Sequence, residues 1–284
     1  MNTSRTTSRS IFLTGGTGYI GSAVARGLAA AGHHIRALAH HQGAVEAFEK
    51  QGWEPVRGGL RDLDILASAA REAEAVVHAA NTGDEKAAEV DDAAARMFLD
   101  ALDGSDRVFI YTSGVWVLGP GTADERSEPD PIALATWRAP LEHEILQAKD
   151  RGVHTVVLRP GVVWDGGGGL PGMLGREELP VVGDGTQRWP LVHLDDLTDL
   201  YLRALDAPAG SILHGITDTA TMNEIAAWAR VEAGRAGPAP SVGMEEARST
   251  LGAFSEALAL DQVVDAEATR RLTGWAPRHT FPAP

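Results

Sequence analysis

Short apolar runs alternate with stretches of helical periodicity through the first 160 residues of the chain. The apolar runs predict strands at Ile11–Thr14, Ile35–Ala39, Pro55–Arg57, Ala75–His78, Val108–Thr112 and Thr155–Leu158. The stretches between them predict helices at Tyr19–Ala31, Ala44–Gln51, Leu63–Glu72, Ala87–Leu102 and Ala139–Asp150. Such alternation indicates consecutive βαβ units and a parallel sheet with helices on both faces.

The pattern changes after Pro160. Four consecutive glycines, Gly166–Gly169, predict a long loop over a site, because periodic segments continue beyond them. Further helices are predicted at Leu194–Leu205, Met222–Gly234, Glu245–Ala259 and Ala266–Leu272. We therefore expect a main domain over residues 1–160, with a polar tail at 1–10, and a small α/β C-terminal lobe over 161–284 that returns some segments to the main domain.

The segment between the first strand and the first helix is rich in glycine and reads Gly-Gly-Thr-Gly-Tyr-Ile-Gly over residues 15–21. Gly15 permits a tight turn, Gly18 lets the backbone approach a pyrophosphate, and Gly21 lets the helix pack closely on the strand. The helix N-terminus adds N–H groups and a partial positive charge. A strand before and a helix after favour a dinucleotide site over a flexible turn, and thus a Rossmann-type, doubly wound sheet.

The segment Thr14–Gly21 resembles the fingerprint of the extended and atypical short-chain dehydrogenase/reductases, the epimerase/dehydratase group. The resemblance continues through Gly58–Asp62, Val77–Ala80, Tyr111–Gly119, Leu158–Trp164, Val192–Leu197 and Leu272–Pro277. It implies a set of residues that bind a nicotinamide dinucleotide: Gly15, Thr17, Gly18, Tyr19, Ile20 and Gly21 at the pyrophosphate, Leu60 at the adenine, Ala79 and Ala80 at the ribose, and Pro160 at the exit of the sixth strand. Gly59 departs from the family, which usually has an aspartate there.

The end of the second predicted strand carries no acid, and the first acid beyond it is Glu46. Binding of NAD usually uses an acidic side chain at this point to hold the ribose hydroxyls. We therefore predict that NADP(H) is preferred and that NAD(H) is possible, with Arg36, His40 or His41 pairing with the 2′-phosphate. The alternative for the histidines is a solvated surface.

The catalytic pair that the resemblance implies, Tyr-x-x-x-Lys on the helix after the fifth strand, is absent. The chain has only Tyr19, Tyr111 and Tyr201, so no tyrosine lies between residues 112 and 200. Tyrosinate normally acts as the acid or base in this chemistry, and the lysine ammonium lowers its pKa. Other groups must replace the pair, or the protein binds a dinucleotide without standard redox turnover.

Three residues from the same parts of the fold are candidate replacements. Ser113 offers a hydrogen bond to a substrate oxygen, and Arg138 offers a fixed positive charge to a carbonyl or carboxylate. His143 titrates near neutrality and is a candidate acid or base. The alternatives are a salt bridge from Arg138 to Glu142, four residues further along the helix, and a surface or packing role for His143.

Tryptophans stand at segments expected to line a substrate cleft. A flat, apolar pocket for a ring-bearing or hydrophobic small molecule is predicted from Trp116, Trp137, Trp164 and Trp189, with Trp116, Trp164 and Trp189 as the substrate contacts. The alternative is ordinary core packing. No metal site is predicted, because there is no cysteine and the ten histidines show no metal-binding spacing.

A formal net charge of −14 argues against nucleic-acid partners and against anionic membranes. The chain also shows no apolar run of about 18 residues and no signal peptide, so we expect a cytoplasmic protein. The resemblance implies a possible homodimer. The leading hypothesis is an NAD(P)-dependent enzyme that acts on a carbonyl-bearing, ring-containing small molecule. The alternatives are a non-catalytic NADP(H) sensor and a non-redox isomerase, cyclase or lyase on the same fold.

Overall fold

The computed structural model describes residues 8–165 and 167–282. Of the predicted tail, residues 1–7 lie outside the described residues, and Ser10 already belongs to a strand. The strands are β1 (Ser10–Thr14), β2 (His34–Ala39), β3 (Glu54–Arg57), β4 (Ala75–His78), β5 (Val108–Thr112), β6 (Gly121–Ala123), β7 (His154–Pro160), β8 (Val162–Trp164), β9 (Val181–Val182), β10 (Arg188–His193), β11 (Ser211–Gly215), β12 (Asp218–Thr221), β13 (Ser241–Val242) and β14 (Gln262–Val264).

The helices follow the strands in the expected alternation over the first half of the chain. They are α1 (Tyr19–Ala30), α2 (Gln42–Lys50), α3 (Leu63–Glu72), α4 (Ala87–Leu102), α5 (Arg138–Gln147), α6 (Gly169–Gly175), α7 (Leu194–Ala204), α8 (Met222–Glu232), α9 (Met244–Leu251), α10 (Phe254–Leu258) and α11 (Glu267–Thr273). In the part of the chain that the structure describes, no helix is long and apolar enough to cross a membrane.

A seven-stranded sheet with the strand order β11-β7-β5-β4-β1-β2-β3 forms the centre of the fold. Strand β1 pairs in parallel with both β2 and β4, with Leu13 opposite Ala37 on one side and Val77 on the other. The chain therefore runs outward from β1 in both directions, which is the doubly wound Rossmann-like arrangement predicted from the sequence. In such sheets a ligand lies at the carboxyl ends of the strands, where the strand order reverses.

The central strands are apolar over most of their length because helices cover both faces of the sheet. Ile11, Phe12 and Leu13 of β1 are fully buried, as are Val76 and Val77 of β4. Each such side chain stabilises the fold by about 1.5–3 kcal/mol relative to exposure. The carboxyl ends of β1 and β4 are therefore rigid attachment points for the loops that follow them.

The chain divides into two compact units whose sequences interleave. Unit 1 comprises Met1–Thr112, Leu141–Val157 and Tyr201–Ser211, and unit 2 comprises Ser113–Pro140, Leu158–Leu200 and Ile212–Pro284. Unit 2 contains a sheet with the order β12-β10-β8 and the strand pairs β13-β9 and β14-β6. A domain boundary near residue 160 stays a prediction.

Two local predictions after Pro160 differ from the structure. The glycine-rich segment is not all loop, because α6 begins within it at Gly169; its Gly166 lies outside the described residues. The helix predicted over Glu245–Ala259 is instead two helices, α9 and α10. They separate at Gly252, whose φ of +56° lies in the left-handed region and ends α9.

Candidate functional site

The loop between β1 and α1 is built so that two backbone segments approach closely. Gly15 has a φ of +83°, and a Cβ atom placed there would lie 2.6 Å from the carbonyl oxygen of Ala79. A Cβ on Gly21 would lie 2.2 Å from the carbonyl oxygen of Gly15. Only glycine fits these two positions, since side chains there would force the loop off β4 or α1 off the loop.

Gly18 is different, because a Cβ atom placed on it would meet only one atom of the loop, the Gly15 carbonyl oxygen at 3.2 Å. It is the N-cap of α1, in extended conformation with no side-chain cap, and its amide donates to the Gly15 carbonyl at 2.8 Å. Thr17 and Gly18 are exposed, and the first turn of α1 carries no acidic residue. An anion therefore has access to the start of a helix, where N–H groups and the helix dipole favour it. The loop fits the pyrophosphate of a dinucleotide.

The end of β2 narrows the choice of residues for a 2′-phosphate. Arg36 is committed elsewhere, since it donates to Glu54 at 3.0 Å and to Glu72 at 2.8 Å. His41 is the N-cap of α2, and its Nδ1 accepts the amide of Ala44 at 3.0 Å. Neither side chain is available to a ligand without losing these contacts.

His40 and Arg57 remain at this end of the sheet. His40 is exposed, and its ring packs edge-on against His41 with a centroid distance of 4.5 Å. Arg57 ends β3 beside Ala39 of β2, and its Nη1 donates to Oε1 of Gln42 at 3.0 Å. Arg57 was missed in the sequence because only the pairing of β2 with β3 brings it beside the start of α2.

The residues expected at the adenine and ribose follow β3 and β4. Leu60 is half-buried in a turn that is closed by Asp62, whose Oδ2 accepts the amide of Gly59 at 2.7 Å. Ala79 and Ala80 are half-buried directly after β4. Pro160, the last residue of β7, is buried in unit 2.

Ser113 directly follows β5, and its amide donates to the Leu158 carbonyl at 2.8 Å. Its Oγ is buried and has no hydrogen-bond partner among the described residues. Leaving a buried hydroxyl unsatisfied costs about 1–3 kcal/mol, so this oxygen is suited to bond an atom that the chain itself does not supply.

Trp116 lies in the 3₁₀ helix Val115–Leu118 of unit 2. It is half-buried and packs edge-on against Phe254, with a centroid distance of 6.1 Å. The two rings form an aromatic surface that retains some exposure.

Arg138 begins α5 and is half-buried. Its guanidinium lies 4.2 Å from the centroid of the Trp137 ring, and Trp137 Nε1 donates to the Leu134 carbonyl at 3.1 Å. The cation–π contact holds the guanidinium plane against a fixed ring. His143 is exposed, and its Nε2 accepts from the side-chain amide of Gln147 at 2.8 Å.

Two of the tyrosines are poor substitutes for the missing catalytic residue. Tyr111 and Tyr201 are fully buried. Tyr111 donates to Asp91 Oδ2 at 2.5 Å, and the Tyr201 hydroxyl lies 2.6 Å from Thr112 Oγ1. Burial raises the pKa of Tyr201 well above its ordinary value, so it stays protonated.

Trp164 and Trp189 lie in the core of unit 2, where they are 6% and 1% exposed. Trp164 packs edge-on against Trp228 at 5.5 Å and Phe281 at 5.2 Å between ring centroids. Both indole Nε1 atoms are buried without a partner in the described part of the chain. A role for these two residues in substrate binding stays a prediction.

Three potential metal ligands come together in unit 2. The His193 and His279 rings stack at 3.8 Å with an interplanar angle of 16°, and His279 Nδ1 lies 3.1 Å from Asp196 Oδ2. Stacked rings keep their nitrogen lone pairs in separate parallel planes, so they do not converge on one ion. Asp196 also accepts the amides of Arg278 and His279, both at 2.9 Å. Burial, and then the neighbouring His279, lower the pKa of His193. The cluster anchors the C-terminal segment to the start of α7.

Comparisons with known proteins give a consistent match over most of the chain. A family model described as NAD(P)H-binding matches residues 15–207. An uncharacterised protein of Schizosaccharomyces pombe is 30% identical, over 95% of this chain and 95% of its own. The 2-alkyl-3-oxoalkanoate reductase of Stenotrophomonas maltophilia is 28% identical, over 70% of this chain and 66% of its own. The fold is similar to that of a dTDP-glucose 4,6-dehydratase from Streptomyces venezuelae, solved with NAD bound, with a TM-score of 0.79, 20% identity, and coverage of 96% and 93%.

Proposed function

This chain belongs to the NAD(P)H-binding family, within the extended short-chain dehydrogenase/reductase group, and we propose that it is an NADPH-dependent reductase of a ketone on a ring-containing small molecule. The observation that carries the reduction step is the buried, unpartnered hydroxyl of Ser113 at the carboxyl end of β5. The similarity to a 3-oxoalkanoate reductase supports a carbonyl substrate. The test is whether deuterium from NADPH labelled at C4 reaches the alcohol product.

The residues of this chain would act on the carbonyl oxygen. NADPH held by the glycine loop would supply a hydride to the carbonyl carbon, and the substrate oxygen would gain negative charge as that carbon is reduced. The Ser113 hydroxyl donates a hydrogen bond to that oxygen, and the Arg138 guanidinium stabilises the charge. Because Trp137 holds the guanidinium in place, little reorganisation is needed when the charge develops.

Arginine cannot take the whole role of the missing tyrosine. A guanidinium stays protonated in proteins, so it stabilises an alkoxide without delivering a proton. The proton comes from His143, which is exposed to solvent, or from water. Trp116 and Phe254 provide an apolar aromatic surface for a ring, and Trp164 and Trp189 support unit 2 from within its core.

We propose NADPH rather than NADH as the cofactor, because His40 and His41 follow β2 without an acid that could hold the ribose hydroxyls, and Arg57 lies beside its last residue. His40 and Arg57 are both exposed there, and Arg57 is held beside the first residue of α2. A planar guanidinium pairs with two phosphate oxygens at once. We propose Arg57 as the main contact of the 2′-phosphate and His40 as the second.

We expect NADPH to bind about tenfold more tightly than NADH, a difference of ~1.4 kcal/mol. His40→Asp should reverse this order, since a carboxylate repels the 2′-phosphate and accepts the ribose hydroxyls of NADH. Calorimetric titration of both dinucleotides measures it. His34→Asp is the matched control, because it adds the same charge at the opposite end of β2 on an exposed residue.

Arg57→Gln should weaken NADPH binding and leave NADH binding unchanged. Tighter binding of NADH than of NADPH by the unaltered protein would contradict the interpretation of this strand end. An equal loss for both dinucleotides in Arg57→Gln would show that Arg57 supports the fold rather than the phosphate.

A sensor of the NADP(H) state is the second candidate. The observation in its favour is that no tyrosine occurs between residues 112 and 200, so the usual acid is missing from α5. Tight NADPH binding without turnover of any ketone would favour the sensor. Turnover of a substrate without net oxidation of NADPH would favour an isomerase, cyclase or lyase.

A further inference from the structure

A row of buried polar side chains crosses the three central strands one residue before the loops that follow β1 and β4. Thr14 is opposite His78, and His78 is opposite Tyr111, in the parallel pairing of β1, β4 and β5. Residues paired in this way project from the same face of the sheet. Asp91 of α4 completes the row, and all four side chains are at most 2% exposed.

Polar contacts join neighbouring side chains along the row, from Tyr111 through Asp91 and His78 to Thr14. The Tyr111 hydroxyl donates to Asp91 Oδ2 at 2.5 Å, and Asp91 Oδ1 lies 3.3 Å from His78 Nε2. On the other side of the ring, His78 Nδ1 lies 2.7 Å from Thr14 Oγ1. His78 Nδ1 and the Thr14 hydroxyl share one hydrogen bond, and the opposite ring nitrogen faces the carboxylate of Asp91.

Packing fixes the ring at the middle of this row. His78 contacts Phe98 edge-on at a centroid distance of 5.4 Å and Tyr111 at 6.0 Å. Phe98 in turn packs against Phe12 and Phe109. This apolar surround keeps the ring between Thr14 and Asp91; its Nε2 lies near Asp91 but makes no well-aligned hydrogen bond within the described residues.

The row ends where the proposed cofactor site begins. Thr14 is followed by Gly15, and His78 is followed by Ala79, whose carbonyl oxygen is the atom nearest to a Cβ placed on Gly15. The bond between Thr14 Oγ1 and His78 Nδ1 therefore joins the last residues of the two strands, directly before their loops. The loop after β1 would hold the pyrophosphate, and the loop after β4 would border the ribose.

We propose that Thr14, His78, Asp91 and Tyr111 are positioning residues for the dinucleotide, which hold the loops after β1 and β4 at the spacing that binding requires. None of the four contacts the cofactor. The inference rests on the proposed dinucleotide binding and adds that affinity depends on a row of buried polar contacts that extends to β5, two strands away from the glycine loop.

Thr14→Val tests the link nearest the loop, because valine keeps the shape of threonine and removes the hydroxyl. We expect the Kd for NADPH to rise about tenfold. Thr14→Ser restores the hydroxyl and should return the Kd to within about twofold of the original. Equal Kd values for Thr14→Val and Thr14→Ser would overturn the proposal.

Tyr111→Phe tests the far end of the row, with Tyr201→Phe as its matched control. Each variant removes one phenolic hydroxyl from a fully buried tyrosine of unit 1, and each hydroxyl bonds a side chain. Tyr111→Phe should raise the Kd for NADPH severalfold, whereas Tyr201→Phe should lower the Tm without changing the Kd. If the Kd for NADPH rose in both variants in proportion to their loss of Tm, the proposal would be overturned.

Amide hydrogen exchange without ligand separates this inference from the proposed function. The Gly18 amide, which bonds the Gly15 carbonyl at 2.8 Å, reports the closure of the loop. It should exchange faster in Thr14→Val and Tyr111→Phe than in Tyr201→Phe. If the unaltered protein bound neither NADPH nor NADH, the proposed function would fail. The exchange rate of the Gly18 amide would still show whether the row holds the loop after β1 closed. Unchanged exchange in Thr14→Val and Tyr111→Phe would contradict it.

Discussion

Gly18→Val should weaken NADPH binding by about 10²-fold or more, equivalent to ~2.8 kcal/mol, while the protein stays folded. In the structure, a Cβ on Gly18 would come no closer than 3.2 Å to the Gly15 carbonyl oxygen, so the loop needs to yield only slightly. The side chain would instead occupy the exposed space at the start of α1 that the pyrophosphate requires. Calorimetry of NADPH binding, together with the Tm, measures both effects.

The matched control is Gly243→Val. Gly243 is also the N-cap of a helix, α9, with a φ of −70° against −80° for Gly18, and neither position has a side-chain cap. No heavy atom lies within 4 Å of a Cβ on Gly243. Both variants place a β-branched residue at an extended N-cap, so they should cost similar stability. Unchanged NADPH affinity in Gly18→Val would remove the loop from the binding site.

Arg138→Ala should lower kcat by about 10²-fold with a Kd for NADPH that stays the same, because the guanidinium acts on charge that develops in the transition state. Removing it also exposes the face of Trp137, which its guanidinium covers. Steady-state rates on a ketone that the unaltered protein reduces give kcat, and titration gives the Kd. Full turnover by a folded Arg138→Ala variant would exclude Arg138 from the mechanism.

Arg271→Ala is the comparison for a surface arginine. Arg271 is exposed and pairs with Glu267, four residues earlier on α11. Such pairs contribute about 0.3–0.5 kcal/mol to stability, so this variant should keep its activity within twofold. The kcat of the unaltered protein should also show no alkaline ionisation of a catalytic tyrosine, because no tyrosine lies between residues 112 and 200 and burial raises the pKa of Tyr201.

The parts of the fold with strong periodicity can be predicted from the sequence to the residue. Strands β4 and β5 and helices α3 and α4 have the predicted bounds. Polar residues border both ends of β5 and α4. The Rossmann-like sheet and the relation to the extended short-chain dehydrogenase/reductases are confirmed. Local pattern is sufficient for these features because they depend on neighbours along the chain.

Features that depend on long-range pairing could not be predicted. Strand β10 contains Pro190 and shows no alternation of polar and apolar residues. It is a strand because it pairs with β8 on one side and β12 on the other. Arg57 reaches the start of α2 only through the register of β2 and β3. The contact between His78 and Asp91 joins residues that have no shared local motif. The pattern of polar and apolar residues does not predict these contacts between residues that are far apart in the sequence.

The most direct test of the proposed ketone reduction is the fate of deuterium from NADPH labelled stereospecifically at C4. The protein would be incubated with each labelled epimer and a panel of cyclic and 3-oxo ketones, and the products analysed by mass spectrometry. We predict that one epimer delivers a single deuterium to the carbinol carbon of an alcohol, and that Arg138→Ala forms this product about 10²-fold more slowly. NADPH that binds tightly but yields no labelled alcohol from any ketone would contradict the assignment as a reductase.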